Sequence, residues 1–141
     1  MTWREAYTLF AKNINYRASG YTPEVDIGMS LAYIDDDDIP ELVFNDHSWE
    51  DYKGVYTFKN SELVKLIDEG LSYYQPRSGR FMVFGYSADE HIYYQLENGK
   101  VTIGEQTEFD DTWDCPIYYG YKEMLDCIQS GEAPIFPHNL G

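Results

Sequence analysis

Four consecutive aspartates, Asp35 to Asp38, stand between two short apolar runs and lead directly into Ile39-Pro40-Glu41. Adjacent like charges repel, and proline lacks a backbone donor, so neither a helix nor a paired strand runs easily through this segment. The chain has to turn here, with its carboxylates either in water or around a cation. Ahead of the turn, from about Ile27, the period is two: Ile27, Met29, Leu31 and Tyr33 share one face, and small Gly28, Ser30 and Ala32 share the other. A strand packed closely on one side shows this pattern. Behind the turn, Leu42-Val43-Phe44 resumes an extended apolar run, and Asn45 to Tyr52 is polar and loop-like.

The residues before this strand follow a helical period. Thr2 and Glu5 have the spacing of a capping box, and Trp3, Tyr7, Phe10 and Ile14 form one apolar stripe. Ser19-Gly20 and Thr22-Pro23 end that helix. Downstream, residues 54–58 and 62–67 read as strands joined across Lys59-Asn60-Ser61, and residues 80–86 and 91–96 as a second pair. Asn98-Gly99 supplies the positive φ angles of a type I′ turn and returns residues 101–103 onto the preceding strand. The tail is expected to be helical from Asp114, with Asp114 as cap, Pro116 in the first turn, Ile117, Tyr121, Leu125 and Ile128 as the stripe, and Gly131 as the stop. Together these readings predict a single α+β domain over residues 1–141, an antiparallel meander of about six to seven short strands with an N-terminal and a C-terminal helix. A chain this long buries about 70% of its unfolded surface, so neither a disulfide nor a metal is obligatory for folding.

Charge narrows the function. The chain has 10 Lys and Arg against 25 Asp and Glu, a net charge of −15 and a pI near 4.3. Nucleic-acid binding depends on neutralising phosphates with basic side chains, and an anionic membrane repels the same surface, so direct binding to either is not expected. No apolar run approaches the roughly 20 residues of a membrane-spanning helix. No basic segment followed by an apolar one opens the chain, so a cytoplasmic location is expected, with export only if Met1 is not the native start. Between Arg17 and Lys53, and again between Lys100 and Lys122, there is no Lys or Arg, yet these stretches hold fifteen of the 25 acids. Such a surface suits a cation or a basic protein partner. The expected partner-facing carboxylates are Asp36, Asp38, Asp46, Glu50, Asp51, Asp110 and Asp111.

Hard cations such as Ca²⁺ take several carboxylate and carbonyl oxygens from one tight loop. In an extended backbone Asp35 and Asp37 fall on a common side, and Glu41 returns after the proline turn, making these three the candidate ligands of one Ca²⁺. The spacing is not that of an EF-hand, which needs a glycine at its sixth loop position and a glutamate at its twelfth. His47, His91 and His138 share no zinc-ligand spacing, nor does Cys115 with Cys127, and both thiols are expected to be free unless the protein is exported. Ser87, Asp89 and His91 contain triad residue types, but alternation in one hairpin keeps them from converging, so they are set aside. No paired carboxylates are singled out for glycoside hydrolysis, and there is no phosphate loop or nucleophile elbow. Fourteen tyrosines include the pairs 73–74, 93–94 and 118–119, one member of each expected to point outward and offer interface area. Arg77 and Arg80, beside Tyr73 and Tyr74, form the one basic cluster.

Trp3-Arg4-Glu5-Ala6-Tyr7 matches a W-K/R-x-A-Y helix, residues 32–42 match a strand that enters I-D-x-D-D-I-P-E-L or D-x-D-x-D-G-I-P-E-L, and residues 56–66 match a short hairpin. In these three pieces the chain resembles a largely uncharacterised family of clostridial-type bacterial proteins, many of them secreted or lipid-anchored. The resemblance spans roughly Trp3 to Gly104. It implies that Asp35, Asp37 and Glu41 stand where the family's calcium-loop-like acids stand. Two positions depart from the pattern: Tyr33 replaces the first aspartate, and Asp38 replaces the turn glycine.

With no catalytic constellation to point to an enzyme, the expected function is a non-enzymatic, acidic, tyrosine-rich protein-interaction module with Ca²⁺ at the Asp35–Glu41 turn. The alternative is a nucleic-acid-mimicking inhibitor of the anti-restriction or anti-CRISPR type, whose carboxylates occupy the basic groove of a nucleic-acid-binding protein.

Overall fold

In the computed structural model, which describes residues 1–19, 28–45, 52–84, 91–106 and 110–131, the acidic turn connects the first two strands of an eight-stranded α+β architecture. Helix α1 (Trp3–Ser19) is followed by β1 (Met29–Ala32), β2 (Glu41–Phe44), β3 (Gly54–Lys59) and β4 (Glu62–Ile67), which form one antiparallel sheet in that order. Strands β5 (Tyr73–Tyr74), β6 (Arg80–Phe84), β7 (His91–Glu97) and β8 (Lys100–Ile103) form a second, and α2 (Tyr121–Ser130) closes the described chain. The meander is thus divided into two four-stranded sheets. Among the described residues, no helix is long and apolar enough to cross a membrane.

Alternation explains how the layers stack. Met29, Leu31, Leu42, Phe44 and Tyr56 face the helices and pack against Ala6, Tyr7, Ala11 and Ile14 of α1 and Met124 and Ile128 of α2. Their neighbours along each strand, Ala32, Val43 and Val55, face the second sheet and pack with Leu71, Tyr74, Phe81 and Leu96. Every residue of β1 and β2 is therefore buried, because helices cover one face of the first sheet and the second sheet covers the other. A third small core, Met82, Tyr93 and fully buried Trp113, covers the far face of the second sheet.

Local chemistry accounts for most boundaries. The Glu5 N–H donates to Thr2 Oγ1 at 3.2 Å, which starts α1. The Glu5 carboxylate accepts the Thr2 hydroxyl instead of reaching back to the backbone, so half of the expected capping box forms. Asn60-Ser61 and Asn98-Gly99 all have positive φ, as two-residue hairpin turns require.

Three expectations are corrected. The C-terminal helix begins at Tyr121, not Asp114. Asp114 pairs with Tyr74, and Tyr119 pairs with Met29, each through two backbone hydrogen bonds, so the donors of this segment serve the edges of both sheets. The tyrosine pairs do not place one member outside: of these six side chains, Tyr74 and Tyr93 are buried and the rest half-buried. Arg77 and Arg80 do not cluster, because Arg77 stacks on Tyr33 while Arg80 lies over Trp113 and bonds the Glu105 carbonyl.

The loop between β5 and β6 ties the second sheet to the start of the acidic turn. The Arg77 N–H donates to the Tyr33 carbonyl at 2.7 Å and the Gly79 N–H to the Ile34 carbonyl at 2.6 Å. Gly79 has φ +83, and a Cβ there would stand 2.4 Å from the Leu96 carbonyl oxygen. Gly79→Ala is therefore expected to cost about 2–3 kcal/mol in urea denaturation, and a loss below about 0.5 kcal/mol would contradict this role for the glycine.

Candidate functional site

Between β1 and β2 the backbone bends through residues 35–39, so the acids do not line one face of an extended strand. The bend still brings them together: one carboxylate oxygen from each of Asp35, Asp37 and Glu41 lies within 4.8 Å of the others. Their surroundings differ. Asp37 is exposed, Asp35 is half-buried and Glu41 is fully buried.

Glu41 owes its burial to register. It is the first residue of β2, opposite Ala32, and on the same face as Val43, so it stands at the rim of the core between the sheets. Glu41 Oε1 accepts the Ile34 N–H at 3.0 Å, and Oε2 accepts the Thr57 hydroxyl at 3.1 Å. Thr57, itself buried, reaches it from β3, the neighbour of β2. From the opposite side, fully buried Tyr7 donates its hydroxyl to the Pro40 carbonyl at 2.7 Å and fixes the exit of the turn against α1. The Asp37 carboxylate accepts the Ile39 N–H at 3.0 Å, a local turn that keeps the bend tight.

Counter-charge is scarce. Arg77 approaches Asp36 at 3.9 Å and donates to the Asp37 carbonyl at 3.4 Å. Among the described residues, no Lys or Arg is ion-paired with Asp35, Asp37 or Glu41. Asp35 Oδ1 is buried and has no hydrogen-bond partner among these residues. Burial, reinforced by the Asp37 charge, pushes the Asp35 carboxyl up to about 6. Burial, with the charges of Asp35 and Asp37, also holds Glu41 well above the usual carboxylate range. The Tyr7 hydroxyl is raised by burial first and by Glu41, Asp37 and Asp35 after it, which places it electrically within the same group. Three acids held this close, one fully and one partly removed from water, need a proton or a cation between them.

The other expected acids do not join this cluster. Asp36 and Asp38 are exposed beside it. Asp110 and Asp111 are exposed on the loop after β8, where Asp110 accepts the Thr112 N–H at 2.9 Å. Asp46, Glu50 and Asp51 lie outside the described residues, as do Ser87, Asp89, His47 and His138. His91 is exposed against Phe84, and no disulfide links Cys115 to Cys127.

Sequence reading did not assign Tyr7, Thr57 or Arg77 to the site. Tyr7 alone had a signal, as the last residue of the W-K/R-x-A-Y motif that accompanies the acidic turn in the resembled family. No protein-family model, curated protein or solved structure matches the chain, so that resemblance stands on its motifs.

Raised carboxyl values make a definite statement about acid. In the folded, cation-free protein Asp35 and Glu41 hold protons to higher pH than in the unfolded chain, so the stability they contribute is present at low pH. It is lost as pH rises, for Asp35 from its ordinary 3.8 through about 6. Relief of net negative charge works in the same direction. The chelated protein is expected to melt higher at about pH 5 than at about pH 8, and Asp35→Asn/Glu41→Gln to lose much of that difference. An undiminished difference in the double variant would place its origin elsewhere.

Proposed function

We propose that the protein is a non-enzymatic binding module whose acidic turn holds one Ca²⁺ through Asp35, Asp37 and Glu41. The observation that carries this reading is a fully buried carboxylate, Glu41, set beside a buried and unpartnered Asp35 oxygen and an exposed Asp37, all within reach of one ion. Oxygen donors alone suit a hard cation, and a dication offsets the mutual repulsion that otherwise holds protons on the group. Ile34 N–H and the Thr57 hydroxyl orient Glu41 as outer-sphere partners orient metal ligands.

The exposed carboxylates of Asp36 and Asp38 on the turn, and of Asp110 and Asp111 after β8, are offered to a basic protein partner. The tyrosines add little to such a surface, because those with described side chains are all at least half-buried. A nucleic-acid mimic needs its carboxylates turned outward. Here Glu41 faces inward at 0% exposure, which favours the cation reading.

Calorimetric titration of the chelated protein with Ca²⁺ tests this directly. Heat consistent with one site is expected, together with stabilisation of about 2.7 kcal/mol once Ca²⁺ exceeds Kd about a hundredfold. Glu41→Gln keeps an acceptor for Ile34 N–H but removes the charge, so it is expected to abolish the heat without destabilising the chelated protein. No heat at millimolar Ca²⁺, or full binding by Glu41→Gln, would refute the reading.

A further inference from the structure

The edge of a β-sheet presents unpaired backbone donors and acceptors, and folds protect such edges. Three of the edges here are attended to. Met29 of β1 pairs with Tyr119, Tyr74 of β5 pairs with Asp114, and α1 packs on β4, whose Leu63 joins the core beneath that helix. The remaining edge, β8, is bare. Lys100, Thr102 and Ile103 are exposed, and among the described residues no strand or bridge lies on its outer side. Ile103 is 74% exposed, more than any other large apolar side chain among those residues. We propose that β8 is a self-association edge, pairing antiparallel with β8 of a second copy about a two-fold axis at Thr102, so that the second sheet runs on from one copy into the other.

Backbone register selects this arrangement. The Gly104 N–H donates to the Tyr93 carbonyl at 2.8 Å, which makes Tyr93 and Gly104 a hydrogen-bonded pair. Bonded and non-bonded pairs alternate, so Gln95 and Thr102 are bonded to each other, while the N–H and C=O of Val101 and Ile103 point outward. A second β8 has to match outward groups to outward groups. Centred on Val101, the pairing runs into the Asn98-Gly99 turn and sets Ile103 against a glycine. Centred on Ile103, it sets Val101 against Glu105. Centred on Thr102, each Val101 bonds Ile103 of the other copy, their side chains meet on one face, and the two Thr102 side chains meet on the other. Ile92, 39% exposed and on the same face as Ile103, extends the apolar contact. A foreign strand meets the same backbone groups without these matched side chains, which favours a second copy.

Charge permits the contact although each chain carries −15. Lys100 is the one charged residue of β8, and it stands opposite Glu97. In the Thr102 register the two Lys100 residues lie about 14 Å apart along the strands, beyond the Debye length of about 8 Å at physiological salt. Neither proline nor a bulge interrupts β8 or its pairing with β7.

Sedimentation equilibrium of the full chain, with hydrogen exchange read at each amide, tests the proposal. The mass is expected to rise with concentration from 16.5 kDa toward twice that value. So short an edge belongs with transient contacts, and a Kd on the order of 100 µM is expected. Screening the net charge tightens it several-fold between about 0.05 and 0.5 M NaCl. The amides of Val101 and Ile103 are expected to exchange more slowly as concentration rises, while Thr102, already bonded to β7, is unchanged. Ile103→Lys and Ile103→Pro, the second removing only an outward donor, are expected to melt like the parent chain when dilute and to stay monomeric. A parent chain that is monomeric at about 1 mM in about 0.5 M NaCl overturns the proposal. A dimer that survives both variants, or that leaves the Val101 and Ile103 amides unprotected, overturns it as well.

Discussion

The acidic turn depends on one buried carboxylate. Glu41 begins a strand whose alternate residues fill the core between two sheets, so its side chain is directed inward whatever its charge. Leaving such a group unsatisfied costs several kcal/mol, and the fold answers with one backbone N–H and one hydroxyl. Those two bonds link β2 to the end of β1 and to β3, and the turn between Ile34 and Glu41 closes over them. Asp35 and Asp37 are brought near Glu41 as a result. Neutral partners alone do not balance three acids, and this imbalance is the physical basis for the proposal of a cation at the turn.

Supports on either side give the turn its shape. On the helical side, Tyr7 bonds Pro40 from within the core that α1 shares with the first sheet. On the second-sheet side, the loop carrying Arg77 and Gly79 bonds the carbonyls of Tyr33 and Ile34. The Tyr33 hydroxyl in turn donates to the Gly131 carbonyl at 2.8 Å, where α2 ends. Both helices and both sheets therefore meet at one short segment. A change of charge there is coupled to the packing of the whole chain, which makes stability a sensitive readout of occupancy.

The parts of this arrangement that were legible in sequence are those set by local rules. Periodicity located α1 and most strands, the polar run Lys59-Asn60-Ser61 located one tight hairpin, and the positive-φ pair Asn98-Gly99 located the other. The three clustered acids were visible because carboxylates gathered within seven positions leave few ways to fold. Long-range facts were not visible. Nothing in β3 marks Thr57 as the partner of Glu41, and the spacing of Arg77 from Asp36 gives no hint of their approach. The two-residue strand β5 is too short to carry a period. The segment from Asp114 resembled a helix start because Asp and Pro commonly occupy such positions, but sheet edges claimed its backbone donors. The tyrosine pairs were misjudged because alternation sets the direction of a side chain but not what packs over it.

Crystals of the protein grown with Mn²⁺ or Ca²⁺ and measured for anomalous scattering test the central claim most directly. A single peak at about 2.1–2.6 Å from oxygens of Asp35, Asp37 and Glu41 is the result this account requires. A peak-free turn under saturating cation, with the Asp35 and Glu41 carboxyls at hydrogen-bonding distance around a shared proton, would contradict it.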